Sequence, residues 1–145
     1  TSQRLWNLVG ESYCVLIPTS LSNADLAPTE SFIKSMDKVK ARYHKTYPHL
    51  VVCPNRIPFG QKDYSVMAKR LSNHDVVIGP AIRDLAGVRH FYNGKHQSTE
   101  GKNASEDFGQ FADFVDKFVL RGELDKIYSD KNSLNVVPFS KTKGK

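Results

Sequence analysis

Leu50-Val51-Val52-Cys53-Pro54-Asn55-Arg56-Ile57-Pro58-Phe59-Gly60 is the stretch on which the fold turns. Its first four residues are apolar on both faces, as expected of a central strand in a parallel sheet. The two prolines and the glycine that follow predict a loop from Pro54 onward. Two further runs share this form: Tyr13 to Ile17 (YCVLI) before Pro18, and Asp75 to Gly79 (DVVIG) before Pro80. Each reads as a short apolar strand stopped by a proline.

Helical segments alternate with these strands. Asn23 or Asp25 is expected to cap a helix that tolerates Pro28 in its first turn. Phe32, Met36, Val39, Tyr43 and Tyr47 recur at helical spacing and predict its buried stripe, while Lys34, Lys38, Lys40, Arg42 and Lys45 crowd the remaining faces. A second helix is expected from about Lys62 to Leu71, with Asn73 at its exit. The segment from Ile82 to Tyr92 reads as helical or irregular, and Lys95 to Lys102 as a polar connection. Ser105 is expected to cap another helix, with Glu106 and Asp107 placed against its dipole. Phe108, Phe111, Val115, Phe118 and Val119 would form its buried stripe. Short helices at Gln3 to Gly10 and Leu124 to Tyr128 complete the reading.

Strand and helix alternation of this kind implies α/β architecture: a partial doubly wound parallel sheet of about three strands with flanking helices. Residues 1–129 are expected to form a single α/β domain, part of a larger one because three strands make a thin sheet. Residues 130–145, ending Lys141-Thr142-Lys143-Gly144-Lys145, read as a basic, flexible tail.

The 145 residues are 39% hydrophobic and 25% charged, enough to bury a core without disulfides. Basic residues outnumber acidic ones 21 to 15, a net charge of +6, which favours polyanions through counterion release. No apolar run approaches the roughly 18 residues that span a bilayer, and no secretory leader opens the sequence, so a cytoplasmic location without membrane partners is expected. Cys14 and Cys53 each lie inside an apolar run and read as reduced core thiols. With no C-x-x-C and no H-x-x-x-H pairing among the histidines, no metal site is expected. Ser20, Ser22, Asp25 and His49 lack the G-x-S-x-G elbow of a hydrolase.

The order of these signals, Tyr13–Ile17 with Pro18-Thr19-Ser20, Val51–Cys53 with Pro54-Asn55-Arg56, then Val76–Ile78 before Ile82 and Gly94, resembles the ParA/MinD family of deviant-Walker ATPases. Those proteins segregate plasmids and chromosomes or position division sites. The resemblance covers roughly Leu5 to Phe118, and the Pro-Asn-Arg tripeptide after an apolar strand is its sharpest element. It implies the C-terminal half of a P-loop NTPase-like fold. Two departures stand out: Leu85 lies where the family often has arginine, and the Walker A and Walker B segments are absent. Gly87, Gly94-Lys95 and Gly101-Lys102 never assemble into G-x-x-x-x-G-K-[ST]. No catalytic residue is therefore assigned, and no independent activity is expected from this chain.

By that resemblance, Asn55, Arg56 and Pro80 would form the adenine-side rim of a nucleotide pocket. Lys34, Lys38, Arg42, Arg83, Arg89 and Lys95 would contribute a surface for non-specific DNA. The intact protein would take ATP or ADP with magnesium, whereas no cofactor is expected for this chain alone. It would form a homodimer, meet a centromere-binding adaptor and lie on the bacterial nucleoid. The residues alone are compatible with the rim, because ligands of open α/β sheets bind beyond the carboxyl ends of the strands. They are equally compatible with an ordinary turn at Asn55 and a solvated lysine face. Two other functions fit the sequence: a nucleic-acid-binding module without a P-loop, and a flavodoxin-like protein-interaction domain.

Overall fold

The computed structural model describes residues 3–58, 60, 64–85 and 99–129, with backbone alone for 99–101, 128 and 129. Arg89, Lys95 and the expected tail from 130 lie outside the described residues.

The central strand is β2 (His49–Ile57). β1 (Cys14–Thr19) runs parallel along one side; β3 (Val76–Ile78) and β4 (Ile82–Arg83) follow one another, also parallel, along the other. Alternation along the strands divides the core in two. Leu50, Val52, Val76 and Ile78, with Val15 and Ile17, face α1 (Gln3–Glu11), α2 (Asn23–Arg42) and α3 (Ser65–Leu71). Val51, Cys53 and Val77, with Cys14, face α4 (Thr99–Phe114), the π-helical turn Val115–Leu120 and α5 (Leu124–Ser129). The chain is thus an α/β protein with a small parallel sheet between two helical layers. All strand pairings among the described residues are parallel, as the doubly apolar runs imply, and β2 is buried from His49 through Pro54.

Two prolines expected to stop strands lie inside them, and the ladder explains why. Tyr13 C=O accepts the His49 N–H at 2.8 Å, so alternate residues from Tyr13 to Thr19 turn their peptide groups toward β2. Pro18 therefore turns away, onto the side of β1 that no described strand pairs, where its missing N–H leaves no bond unmade. Pro54 is protected differently. Val52 C=O accepts from Gly79 N–H at 2.8 Å, so Pro54, two residues on, faces the break between β3 and β4. The expected loop at Pro54 is accordingly the second half of β2. It pairs with β4 across a bulge between Asn55 and Ile57, and Arg56 takes up the extra residue at φ 53°. The segment expected to begin a helix or irregular stretch at Ile82 begins instead as β4. β1, expected to be buried on both faces, pairs on one side only among the described residues and leaves Leu16 and Pro18 exposed.

The helices depart from expectation in register more than in place. Ser22, rather than Asn23 or Asp25, caps α2, its Oγ accepting the Asp25 N–H at 3.3 Å. Pro28 falls in the second turn. The buried face of α2 is Leu26, Thr29, Ile33, Met36 and Lys40, rotated from the expected stripe. Phe32 packs partly against the core, but Val39, Tyr43 and Tyr47 are exposed. Lys40 is in the buried row because its long stem covers apolar surface as a hydrocarbon would. Helix α4 starts at Thr99, so Ser105 is an interior residue and caps nothing. Phe111, Val115, Phe118 and Val119 do pack on the sheet, joined by the fully buried Phe114.

Candidate nucleotide rim and nucleic-acid surface

Past the end of β1, β2 continues for three more residues paired with β4 on its other side, and this overhang carries Asn55 and Arg56. Register puts Asn55 opposite Ile82, two residues after Pro80, so the three rim candidates share the carboxyl edge of the sheet. Their chemistry differs. Asn55 Oδ1 accepts the Arg56 N–H at 3.0 Å, which holds the bulge and leaves the amide NH2 as the donor available to a ligand. Arg56 is 71% exposed at its side chain, with Nη2 3.6 Å from Asp25 Oδ2. The same carboxylate oxygen accepts the Ser20 hydroxyl at 2.5 Å, and Ser20 Oγ lies 3.1 Å from Ser22 Oγ. Pro80 is buried, so at this point of the rim the half-buried Ala81 and Ile82 present more surface than Pro80 itself.

Arg83, expected on the DNA surface, serves as a tie between β4 and α4. Its Nε and Nη2 donate to the Asp107 carboxylate at 3.0 and 2.8 Å, and its backbone N–H donates to the same group at 2.9 Å. These bonds to Asp107 hold the guanidinium above its usual pKa. Asp107, expected at a helix N-terminus, is instead buried in mid-helix as their acceptor.

Lys34, Lys38 and Arg42 are spaced four apart and share the outward face of α2. All three are exposed, and Lys34 is 3.8 Å from Glu30. Lys45 follows the helix end, where its backbone N–H donates to Lys40 C=O at 2.9 Å, and its ammonium lies toward Gly10 of α1. His44 adopts φ 52° and turns the chain out of the helix.

At the opposite end of the sheet, four residues from three segments converge. His49, 1% exposed, places Nε2 at 2.7 Å from Asp125 Oδ1, and the Tyr47 hydroxyl donates to the same oxygen at 3.2 Å. The Tyr13, Tyr47 and His49 rings pack with centroids 4.9 to 5.5 Å apart. The His49 contact, followed by that of Tyr47, draws Asp125 below the usual carboxylate range. Beside them opens a cavity of about 470 Å³ lined by residues Gly10–Tyr13 and Lys45–Tyr47. No sequence signal linked these groups, since 76 positions separate His49 from Asp125. Tyr43 and Tyr47 were legible only as members of a helical stripe, although the basic residues around them are the pattern of an exposed face.

The two thiols are buried to different degrees, and burial pushes Cys14 up to about 11 and Cys53 up to about 12, so both are protonated near neutrality. Among the described residues, no group of three or more His, Cys, Asp or Glu side chains is placed to hold a metal ion. No described helix is long and apolar enough to cross a membrane. Comparison of the chain with protein-family models, curated proteins and solved structures finds no match.

Proposed function

We propose that this chain is the C-terminal portion of a ParA-like partition ATPase, supplying the base-side rim of a nucleotide pocket and a basic surface for non-specific DNA. The observation that carries the reading is the overhang of β2. It brings an amide donor (Asn55), an exposed guanidinium (Arg56) and the backbone around Pro80 to the carboxyl edge of a parallel sheet, the edge at which such sheets receive ligands. The groups present fit a purine edge. They do not include a phosphate cradle or a magnesium ligand set among the described residues, so no phosphoryl-transfer step is assigned to them. In the intact molecule, ATP with magnesium, a second copy, and an adaptor at the centromere belong to the same proposal.

Amide chemical-shift mapping tests the rim. Adenosine and ATP should both perturb residues 55–57 and 81–83, and Asn55→Ala should abolish the response to both. A chain whose rim signals ignore both ligands at millimolar concentration would lose the nucleotide half of the proposal.

A second reading, a nucleic-acid-binding module that uses no nucleotide, draws support from the partners already engaged at the rim. Asp25 lies against Arg56 and the Asn55 oxygen is occupied, while the α2 row stands open. DNA binding with a silent rim is its signature.

A further inference from the structure

The cavity at the amino end of the sheet is lined by the segment that directly follows α2, whose basic row ends at Arg42. Lys34, Lys38 and Arg42 advance along the helix by about 6 Å per step. The chain then reaches Tyr43, which is 60% exposed, Lys45, and Tyr47, which is 40% exposed. The Arg42 guanidinium lies 5.6 Å from the centre of the Tyr43 ring. Lys45 reaches back over Gly10, to about 4.0 Å from where a Cβ would stand, so its ammonium overhangs the cavity mouth. Tyr47 is held at the cavity wall by its bond to Asp125 and by packing on Tyr13 and His49, which fixes the ring before any ligand arrives.

Basic side chains interleaved with exposed aromatic rings are the chemistry of single-stranded nucleic acid: the cations follow the phosphates while the rings stack on bases. A paired base inside a duplex is stacked on its neighbours and has no free face to offer, so a duplex can use the cations but not the rings. The cavity is open to solvent and large enough to receive a base, and Thr46 lines it with a hydroxyl-bearing side chain, whereas the Ser12 hydroxyl already donates to Val9 C=O at 2.7 Å and has only acceptor capacity left. The Glu11 carboxylate on its rim disfavours phosphate there, which leaves the base inside and the phosphates on the Lys45 side.

We infer that α2 and the Tyr43–Tyr47 segment form a seat for single-stranded nucleic acid, with an unpaired base stacked on Tyr47 in the cavity. This deepens the DNA-binding part of the function proposed above and uses none of the nucleotide rim, which lies at the other end of the sheet.

Fluorescence anisotropy with a short labelled oligodeoxythymidylate, and with a duplex of equal length, tests the inference at several salt concentrations. The single strand should bind more tightly than the duplex. Tyr43→Ala and Tyr47→Ala should each weaken the single strand roughly tenfold while leaving the duplex almost unchanged. Tyr47→Phe loses the bond to Asp125 but keeps the ring, and should retain single-strand affinity. If Tyr47→Ala lowers the melting temperature, Tyr43→Ala, at a more exposed position, carries the test alone. Equal affinity for both forms, or unchanged single-strand binding in Tyr43→Ala, overturns the inference and leaves a purely electrostatic surface. Duplex binding that survives in that case preserves the DNA part of the proposed function, whereas absence of binding to either probe removes both.

Discussion

His44 shows how a single backbone angle sets the end of a helix. At φ 52° a side chain crowds the following carbonyl, a conformation that glycine enters freely. His44 is exposed, so replacement removes little packing. His44→Gly is expected to raise stability by about 0.5 kcal/mol, since the relief of strain exceeds the added freedom of the unfolded chain; urea denaturation measures it. Asp125 gives a second case at this scale. His49, Tyr47 and Tyr13 lower its pKa, so its share of stability is fully present above the ordinary aspartate value of about 3.9. That share is lost as pH falls through the depressed native value. Near-ultraviolet circular dichroism should therefore report loss of the Tyr13–Tyr47 packing at acid pH, and Asp125→Asn should flatten that dependence.

Among the elements, β4 is the least self-sufficient. It is two residues long and is held by β2 on one side and by the Arg83–Asp107 clamp on the other. The Asp107 side chain is 6% exposed and that of Arg83 26%, so the pair sits at the margin of the interior. Removing the carboxylate leaves a guanidinium that can swing partly into water. Asp107→Ala is expected to destabilise the fold by about 2 kcal/mol, below the range of a fully buried broken pair. Faster hydrogen exchange at Arg83 and Asp84 than elsewhere in the sheet would locate the loss at β4. Asp84 is informative because its N–H donates to Ile57 C=O at 2.7 Å, the last bond of that ladder.

Across the whole molecule, the sheet separates two surfaces: the Asn55–Arg56 overhang at its carboxyl edge and the aromatic-basic seat at its amino edge. The excess of +6 is not evenly placed, since Lys34, Lys38 and Arg42 fall in one exposed row on α2 while Lys40 is buried and Arg83 is clamped. If that row meets phosphates, Lys38→Glu and Arg42→Glu should each weaken nucleic-acid binding. Each should also reduce the slope of log affinity against log salt by about one. Arg83→Gln should leave the slope unchanged and lower stability instead. A slope indifferent to the α2 substitutions would place the binding surface elsewhere.

Much of the architecture was determined locally. The doubly apolar runs at 50–53 and 75–79 require neighbours on both faces, and that requirement is met by a parallel sheet between helices, while the run at 13–17 leaves Leu16 exposed. What sequence could not decide was where each proline lies relative to a ladder, because a missing N–H matters only if a strand stands opposite it. Pro18 turned outward, and Pro54 opposite a break, stop nothing. Nor could periodicity choose between two stripes on α2 one residue apart, since the choice depends on which face the sheet covers. Tertiary packing exposed Tyr43 and Tyr47, buried Lys40, and drew Asp125 to His49 across 76 positions. Apolar demand is written residue by residue, whereas the partners that satisfy it exist only once the chain has closed on itself.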